Sequence, residues 1–199
     1  MLLRAAVAAT ALLLAGAGTA SADDMKRAEE LISGRCFLCH GATGSSSSPL
    51  YPKLAGQHPE YLFKQLQNFK QGERESSDMR KVVRELDEKD MRALALFFSK
   101  QTPTPGSTAY PEMRAVGEAL YRNGNPAKGL KACIECHEEK GAGSARLPRI
   151  GGQHALYIET QLALFEERRR TNDNAQMQEI AAKLAPEEMR ALAEYLSGL

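Results

Sequence analysis

Two copies of the pentad Cys-x-x-Cys-His constrain this chain more than any other feature of its sequence. They span residues 36–40 and 133–137. In this pentad the two cysteines bond covalently to the vinyl groups of a haem, and the adjacent histidine binds the iron. The chain contains four cysteines, so the pentads leave no thiol for a disulfide or a nucleophile. The sequence therefore predicts two covalently attached haem c groups, held by Cys36, Cys39, Cys133 and Cys136, with His40 and His137 as iron ligands.

Zinc is the alternative occupant of such clusters of cysteine and histidine. Each cluster would need a fourth ligand from elsewhere in the chain. Its histidine also follows the second cysteine directly, which suits a tetrahedral site poorly and is the usual arrangement at a c-type haem. Because the pentads occupy equivalent places in a duplicated chain, we favour haem.

Residues 1–22 have the pattern of a secretory signal peptide. A basic start at Arg4 precedes an apolar run over residues 5–17, and residues 20–22 match the small-x-small cleavage pattern. A membrane anchor is the alternative, but the apolar run is shorter than the about 20 residues that a transmembrane helix needs. We therefore expect cleavage before Asp23 and a mature protein in an exported compartment, most simply a bacterial periplasm.

The charge balance argues against nucleic acid as a partner. The chain has 26 basic and 25 acidic residues, and loss of Arg4 with the signal peptide would leave equal numbers. Without a basic excess the protein cannot neutralise a run of phosphates. The one local cluster, Arg168-Arg169-Arg170, is interpreted as the solvated end of a helix.

The chain is an internal duplication. Cys133 follows Cys36 by 97 residues, and residues 51–58 match residues 147–154 beyond the pentads. Self-similarity at a fixed offset indicates a repeated structural unit. Two prolines between the copies favour an extended connection. We expect a first domain over residues 23–101, a linker over 102–109 and a second domain over 110–199.

Both units are predicted to be all-α, because apolar residues recur at helical spacing and no segment alternates as a strand does. Tyr61, Leu66 and Phe69 form such a stripe behind Pro59, and proline is favoured at the first position of a helix. Units of this size have small cores, which a bound haem would fill and stabilise. The predicted helices cover 26–33 and begin at Pro59 and Asp87 in the first unit; they cover 111–121, 155–167 and 186–196 in the second.

Four methionines are candidates for the second axial ligand of the two irons. Met79 pairs with Met177 and Met91 with Met189, each pair at an offset of 98. Met91 and Met189 lie on the apolar stripes of predicted helices, where core packing explains them. Met79 and Met177 lie in polar segments that we expect to be loops, from which a methionine can reach a haem face. We therefore expect Met79 and Met177 to bind iron. A methionine thioether raises the reduction potential of a haem relative to harder ligands.

The other histidines, His58 and His154, are alternative distal ligands that would give bis-histidine haems of lower potential. Each directly precedes a predicted helix, so we expect it instead to cap that helix or to hydrogen-bond nearby backbone. Pro52 and Pro148 lie downstream of the pentads, where each is expected to orient the ring of the pentad histidine.

On these residues the chain resembles the c4-type dihaem cytochromes c, a bacterial family of two fused class I cytochrome c domains. The resemblance rests on the two pentads, the segment Pro-Lys-Leu-Ala-Gly-Gln-His at 52–58, its counterpart at 148–154 and the ending at 191–197. It implies two tandem class I domains, each wrapped around its haem, with His/Met ligation through the same Met79 and Met177. One departure is Glu138, where the family usually has glycine.

The resemblance implies an electron carrier of the periplasm rather than an enzyme. Its expected partners are redox proteins, with a quinol-oxidising complex as donor and a terminal oxidase or periplasmic reductase as acceptor, and peripheral association with a membrane is compatible with this. One alternative is a dihaem enzyme of the thiosulfate dehydrogenase or peroxidase kind, which needs an exchangeable iron site. Another is the haem subunit of a flavocytochrome-type sulfide dehydrogenase, which would share all of the site chemistry.

Overall fold

A computed structural model describes residues 21–199. The predicted signal peptide therefore lies outside the described residues except for Ser21 and Ala22. Ser21 is the N-cap of the first helix, where its hydroxyl accepts a hydrogen bond from the Asp24 amide. From residue 21 onward, none of the helices combines the length and the apolar character that crossing a bilayer requires.

Residues 21–101 contain five α-helices. A five-residue π-helical turn, Ile32–Cys36, joins α1 to α2 without a break, so the chain runs helically into the first pentad. Proline stands at the first position of α3, and Asp87 caps α5 through the amide of Asp90. The helices are α1 (Ala22–Leu31), α2 (Phe37–His40), α3 (Pro59–Gln71), α4 (Ser77–Val83) and α5 (Glu88–Ser99).

The second half repeats this order. Its helices are α6 (Arg114–Asn123), α7 (Ile134–His137), α8 (Ala155–Glu166), α9 (Gln176–Ala181) and α10 (Pro186–Ser197). Within residues 21–199 extended pairing is limited to two isolated bridges, Arg74 with Arg170 and Asn125 with Leu130. The all-α prediction is confirmed.

The structure adds the short helices α2, α4, α7 and α9 to those predicted, and it moves several boundaries. The helix predicted over 26–33 begins four residues earlier, because Ser21 rather than a later residue caps it. The segments that carry Met79 and Met177 were expected to be loops, and this expectation is wrong. Ser76 caps α4 by accepting a hydrogen bond from the Met79 amide, and Met177 lies in the first turn of α9.

Each half has its own hydrophobic core. In the first half α5 packs against both α1 and α3, and in the second α10 packs against both α6 and α8. Met91 and Met189 are each 3% exposed inside these cores, so their predicted packing role is confirmed. Pro186 and Pro59 at the first helical positions let α10 and α3 start without an unsatisfied amide.

Residues 102–109 connect the halves without regular secondary structure, and they pack on the second half. Glu194 is 4% exposed, and its carboxylate accepts hydrogen bonds from the amides of Ala109 and Tyr110. Gly106 lies against the carbonyl of Ser197, where any side chain would collide with backbone. The connection is therefore held against the second half at Gly106, Ala109 and Tyr110.

Candidate functional site

The pentads form short helical turns that present cysteine and histidine together. All four cysteines are free thiols. Cys36 and Cys133 each lie against the core of their half, and burial raises the pKa of both thiols to about 11. Each half thus offers a pair of thiols, one of which lies against the core of that half.

Each pentad histidine is buried and held by one backbone carbonyl. His40 and His137 are 7% and 8% exposed. Nδ1 of His40 donates to the carbonyl of Pro52 at 2.9 Å, and Nδ1 of His137 to that of Pro148 at 3.1 Å. Because a carbonyl can only accept, Nδ1 carries the proton and Nε2 keeps its lone pair. Burial lowers the pKa of both rings, which favours the neutral form that binds a metal. The prolines orient the rings through their carbonyls.

The candidate methionines lie beside the same cores. Met79 is partly buried and packs against the cluster that Cys36 also contacts. Met177 does the same in the second half, together with Cys133. Their amides are fixed by Ser76 and by Asp173 respectively. Each methionine therefore has a fixed backbone position, and its side chain packs against the same hydrophobic core as the first cysteine of the pentad.

His58 and His154 bind the opposite half. Nε2 of His58 donates to the carbonyl of Ala142, and Nε2 of His154 to that of Ser46, both at 2.9 Å. Neither side chain caps its helix. The expectation of a backbone hydrogen bond describes both residues, and the bond joins the two halves.

Gln57 and Gln153 make a reciprocal contact across the same interface. Gln57 accepts from the Arg149 amide and donates to the Arg149 carbonyl, both at 2.8 Å. Gln153 makes the same pair of bonds with Lys53, both at 2.9 Å. From the sequence alone, these glutamines were identified only as matching positions of the repeat, and no role was predicted for them.

Two buried arginines were missed or misread from the sequence. Arg170 was grouped with a solvated helix end, but it is 7% exposed, and Arg74 is 8% exposed. Both guanidinium groups bind tyrosine and glutamine side chains of the two halves and lie over a phenylalanine ring of their own half. The repeat was the available signal, because Arg74 follows Phe69 as Arg170 follows Phe165. Their polar partners are Tyr61, Gln65, Tyr157 and Gln161.

The donor set of each half fits a covalently bound haem. Two free thiols and a neutral imidazole with an unengaged Nε2 come from one pentad, and a thioether lies beside the same core. By contrast, residues 21–199 contain no group of three or more His, Cys, Asp or Glu side chains placed to hold a metal ion by themselves.

Comparison with known proteins agrees with this assignment. The family model "Cytochrome c" matches residues 115–199. Cytochrome c4 of Thiocapsa roseopersicina is 42% identical over 180 residues, which cover 88% of this chain and 93% of the relative. The crystal structure of reduced recombinant cytochrome c4 from Pseudomonas stutzeri has a TM-score of 0.84 at 37% identity, covering 88% of this chain and 98% of that chain. The "thiosulfate dehydrogenase electron acceptor" of Thiomonas intermedia is 33% identical over 81% of this chain and 77% of the relative.

Similarity of this extent first defines the class: the protein is a dihaem electron-transfer cytochrome with two covalently attached haem c groups and the cytochrome c fold. Within that class, relatives matched over nearly the whole chain are cytochromes c4. The chain therefore belongs to the cytochrome c4 family.

Proposed function

We propose that each half is a haem domain with one histidine and one methionine as axial ligands. The domains cover residues 23–101 and 110–199, joined by 102–109. The observation that carries the ligand assignment is the proline carbonyl that holds each pentad ring and leaves its Nε2 free. The assigned residues are Cys36, Cys39, His40 and Met79 in the first domain, and Cys133, Cys136, His137 and Met177 in the second.

The proposed activity is the reversible transfer of single electrons without a change of ligands. When bound, each haem supplies a one-electron ferric/ferrous couple. The chain fixes both axial ligands, because the cysteines tether the ring and the short helices α4 and α9 hold the methionines. A thioether ligand raises the reduction potential. The buried cores keep water from the iron, so little reorganisation accompanies each electron.

An electron carrier fits the remaining side chains better than an enzyme does. An enzyme of the peroxidase kind needs an acid–base group at an open iron site. The candidates for that group, His58 and His154, donate their Nε2 protons across the interface. A cysteine ligand of the kind expected in some thiosulfate dehydrogenases has no source, because the pentads use all four cysteines.

The proposed location is the periplasm, supported by the predicted signal peptide. The partners we propose are a quinol-oxidising complex as donor and a terminal oxidase or periplasmic reductase as acceptor. The relative named as an electron acceptor of thiosulfate dehydrogenase supports a thiosulfate dehydrogenase as a further donor. Fractionation of cells followed by haem staining would test the location, and recovery in the cytoplasmic fraction would contradict it.

Replacement of Met79 tests the ligand assignment. Met79→Ala should leave both haems attached and abolish the methionine–ferric charge-transfer absorption of one haem only, because the cysteines are unchanged. The matched control is Met91→Leu, a core methionine 3% exposed, which should keep both absorptions. If Met79→Ala keeps the full absorption and Met91→Leu loses half of it, the assignment is wrong.

A further inference from the structure

One peptide unit in each half is hydrogen-bonded on both sides. The carbonyl of Pro52 accepts from Nδ1 of His40 at 2.9 Å, and the next amide, that of Lys53, donates to Oε1 of Gln153 at 2.9 Å. These two groups belong to the same peptide bond. An unbroken path of imidazole, peptide and glutamine therefore leads from the first pentad into the opposite half.

The second half contains an equivalent series of hydrogen bonds. The carbonyl of Pro148 accepts from Nδ1 of His137 at 3.1 Å, and the Arg149 amide donates to Oε1 of Gln57 at 2.8 Å. Each glutamine thus serves the histidine of the half to which it does not belong. The two paths cross the interface in opposite directions.

Both glutamines are held in one orientation. They are 7% and 8% exposed. Oε1 of Gln57 accepts a second bond from the His58 amide at 3.1 Å, and Oε1 of Gln153 from the His154 amide at 3.0 Å. Each Nε2 donates to a backbone carbonyl. Because every partner is a backbone group with a fixed role, the side-chain oxygen must face the amides.

Hydrogen bonds in series polarise one another. An amide that donates to glutamine makes its own carbonyl oxygen a stronger acceptor. That carbonyl then draws the Nδ1 proton more strongly, which raises the basicity of the ligating imidazole. A more basic imidazole stabilises the ferric form over the ferrous form, so the bond to glutamine lowers the reduction potential.

We propose that Gln153 and Gln57 are positioning residues that tune the reduction potential of the opposite half, Gln153 through His40 and Gln57 through His137. The inference rests on the proposed axial ligation. It makes the potential of each half depend on contact with the other, so any partner that loosens the interface raises both potentials.

The test replaces each glutamine by its apolar near-isostere. Gln153→Met should raise the potential of the first-half haem, and Gln57→Met that of the second-half haem. Because cooperative strengthening is modest, about 10–30% per bond, we expect a change of about two- to threefold in the ferric-to-ferrous ratio at a fixed potential. This corresponds to about 18 to 28 mV at 59 mV per tenfold. The two titration waves are first assigned with Met79→Ala and Met177→Ala.

Gln161→Met is the matched control, because Gln161 binds Arg74 and Arg170 in the same interface and contacts neither peptide. The Gln161→Met substitution should leave the difference between the two reduction potentials unchanged. Gln153→Asn and Gln57→Asn are one methylene too short to reach the amides. They should likewise raise the potential of the opposite half, with less disturbance of folding.

Three results separate the possibilities. If each substitution shifts the reduction potential of the haem in the opposite half, the proposal is supported. Equal shifts of both waves, or a shift in the half that carries the substitution, overturn it. Absence of methionine charge-transfer absorption in the unsubstituted protein would overturn the proposed ligation instead, before any glutamine is changed.

Discussion

At the scale of single residues, the position after each pentad shows how a haem site constrains the backbone. Gly41 follows the first pentad at φ 74° and ψ 165°. Glu138 follows the second at φ 62° and ψ 178°, a region that residues other than glycine almost never occupy. Its carbonyl accepts a hydrogen bond from the buried Tyr121 hydroxyl, and burial raises the pKa of Tyr121 to about 12. The second half therefore holds a strained residue where the first has glycine.

Glu138→Gly should stabilise the second half. Backbone strain of this kind costs about 1–3 kcal/mol, and the extra freedom of glycine in the unfolded chain offsets about 0.5–1 kcal/mol of that gain. Denaturant unfolding of the haem-loaded protein should show a net gain of up to about 2.5 kcal/mol in the second-half transition. The control is Glu139→Gly, whose residue lies at the start of a one-turn helix and should cost stability. A loss with Glu138→Gly would contradict the account.

At the scale of elements, the crossing of the first and last helices positions each pentad. In the second half α6 meets α10 at Gly117, where an added Cβ would lie 2.0 Å from the Ala191 carbonyl oxygen. In the first half the corresponding crossing of α1 and α5 is filled by Ala28, which is fully buried. In the second half, the absence of a side chain at Gly117 therefore lets α6 lie directly against the backbone of α10.

Gly117→Ala should destabilise the second half, because the added methyl group meets backbone that cannot yield without moving a helix. Overpacking of this kind typically costs about 1–3 kcal/mol. Gly34→Ala is the matched control, since an added Cβ there meets nothing within 4 Å, and it should be neutral or gain about 0.5–1 kcal/mol. Comparable unfolding midpoints for the two variants would show that the crossing is not tight.

At the scale of the whole molecule, several side-chain contacts across the interface occur in both directions between the halves. His58 corresponds to His154, Gln57 to Gln153 and Arg74 to Arg170, and each reaches the opposite half. Residues 23–108 hold 13 basic and 12 acidic residues, and residues 109–199 hold 12 and 13. With near-zero net side-chain charge in each half, the charge of the chain itself gives little long-range steering of partners.

The sequence predicted the parts of this structure that local pattern controls. The two pentads and the repeat led to two haems and two helical units, and the stripes on α5 and α10 placed Met91 and Met189 in the cores. Arg170 was misjudged because its neighbours are charged and exposed, and burial of a guanidinium depends on tyrosine and glutamine partners from distant segments. The helices α4 and α9 were missed because they are short and polar. The only sequence signal for α4 was its N-cap residue, Ser76.

The most direct test of the account is a potentiometric titration of the haem-loaded protein, followed by visible and near-infrared spectra, with carbon monoxide then added to the reduced form. Both iron sites should have positive potentials and show methionine ligation. Neither should bind carbon monoxide, because the proposed thioether and imidazole ligands would fill both axial positions. A site of low potential, or one that binds carbon monoxide, would contradict the closed-site electron carrier and favour a bis-histidine or catalytic centre.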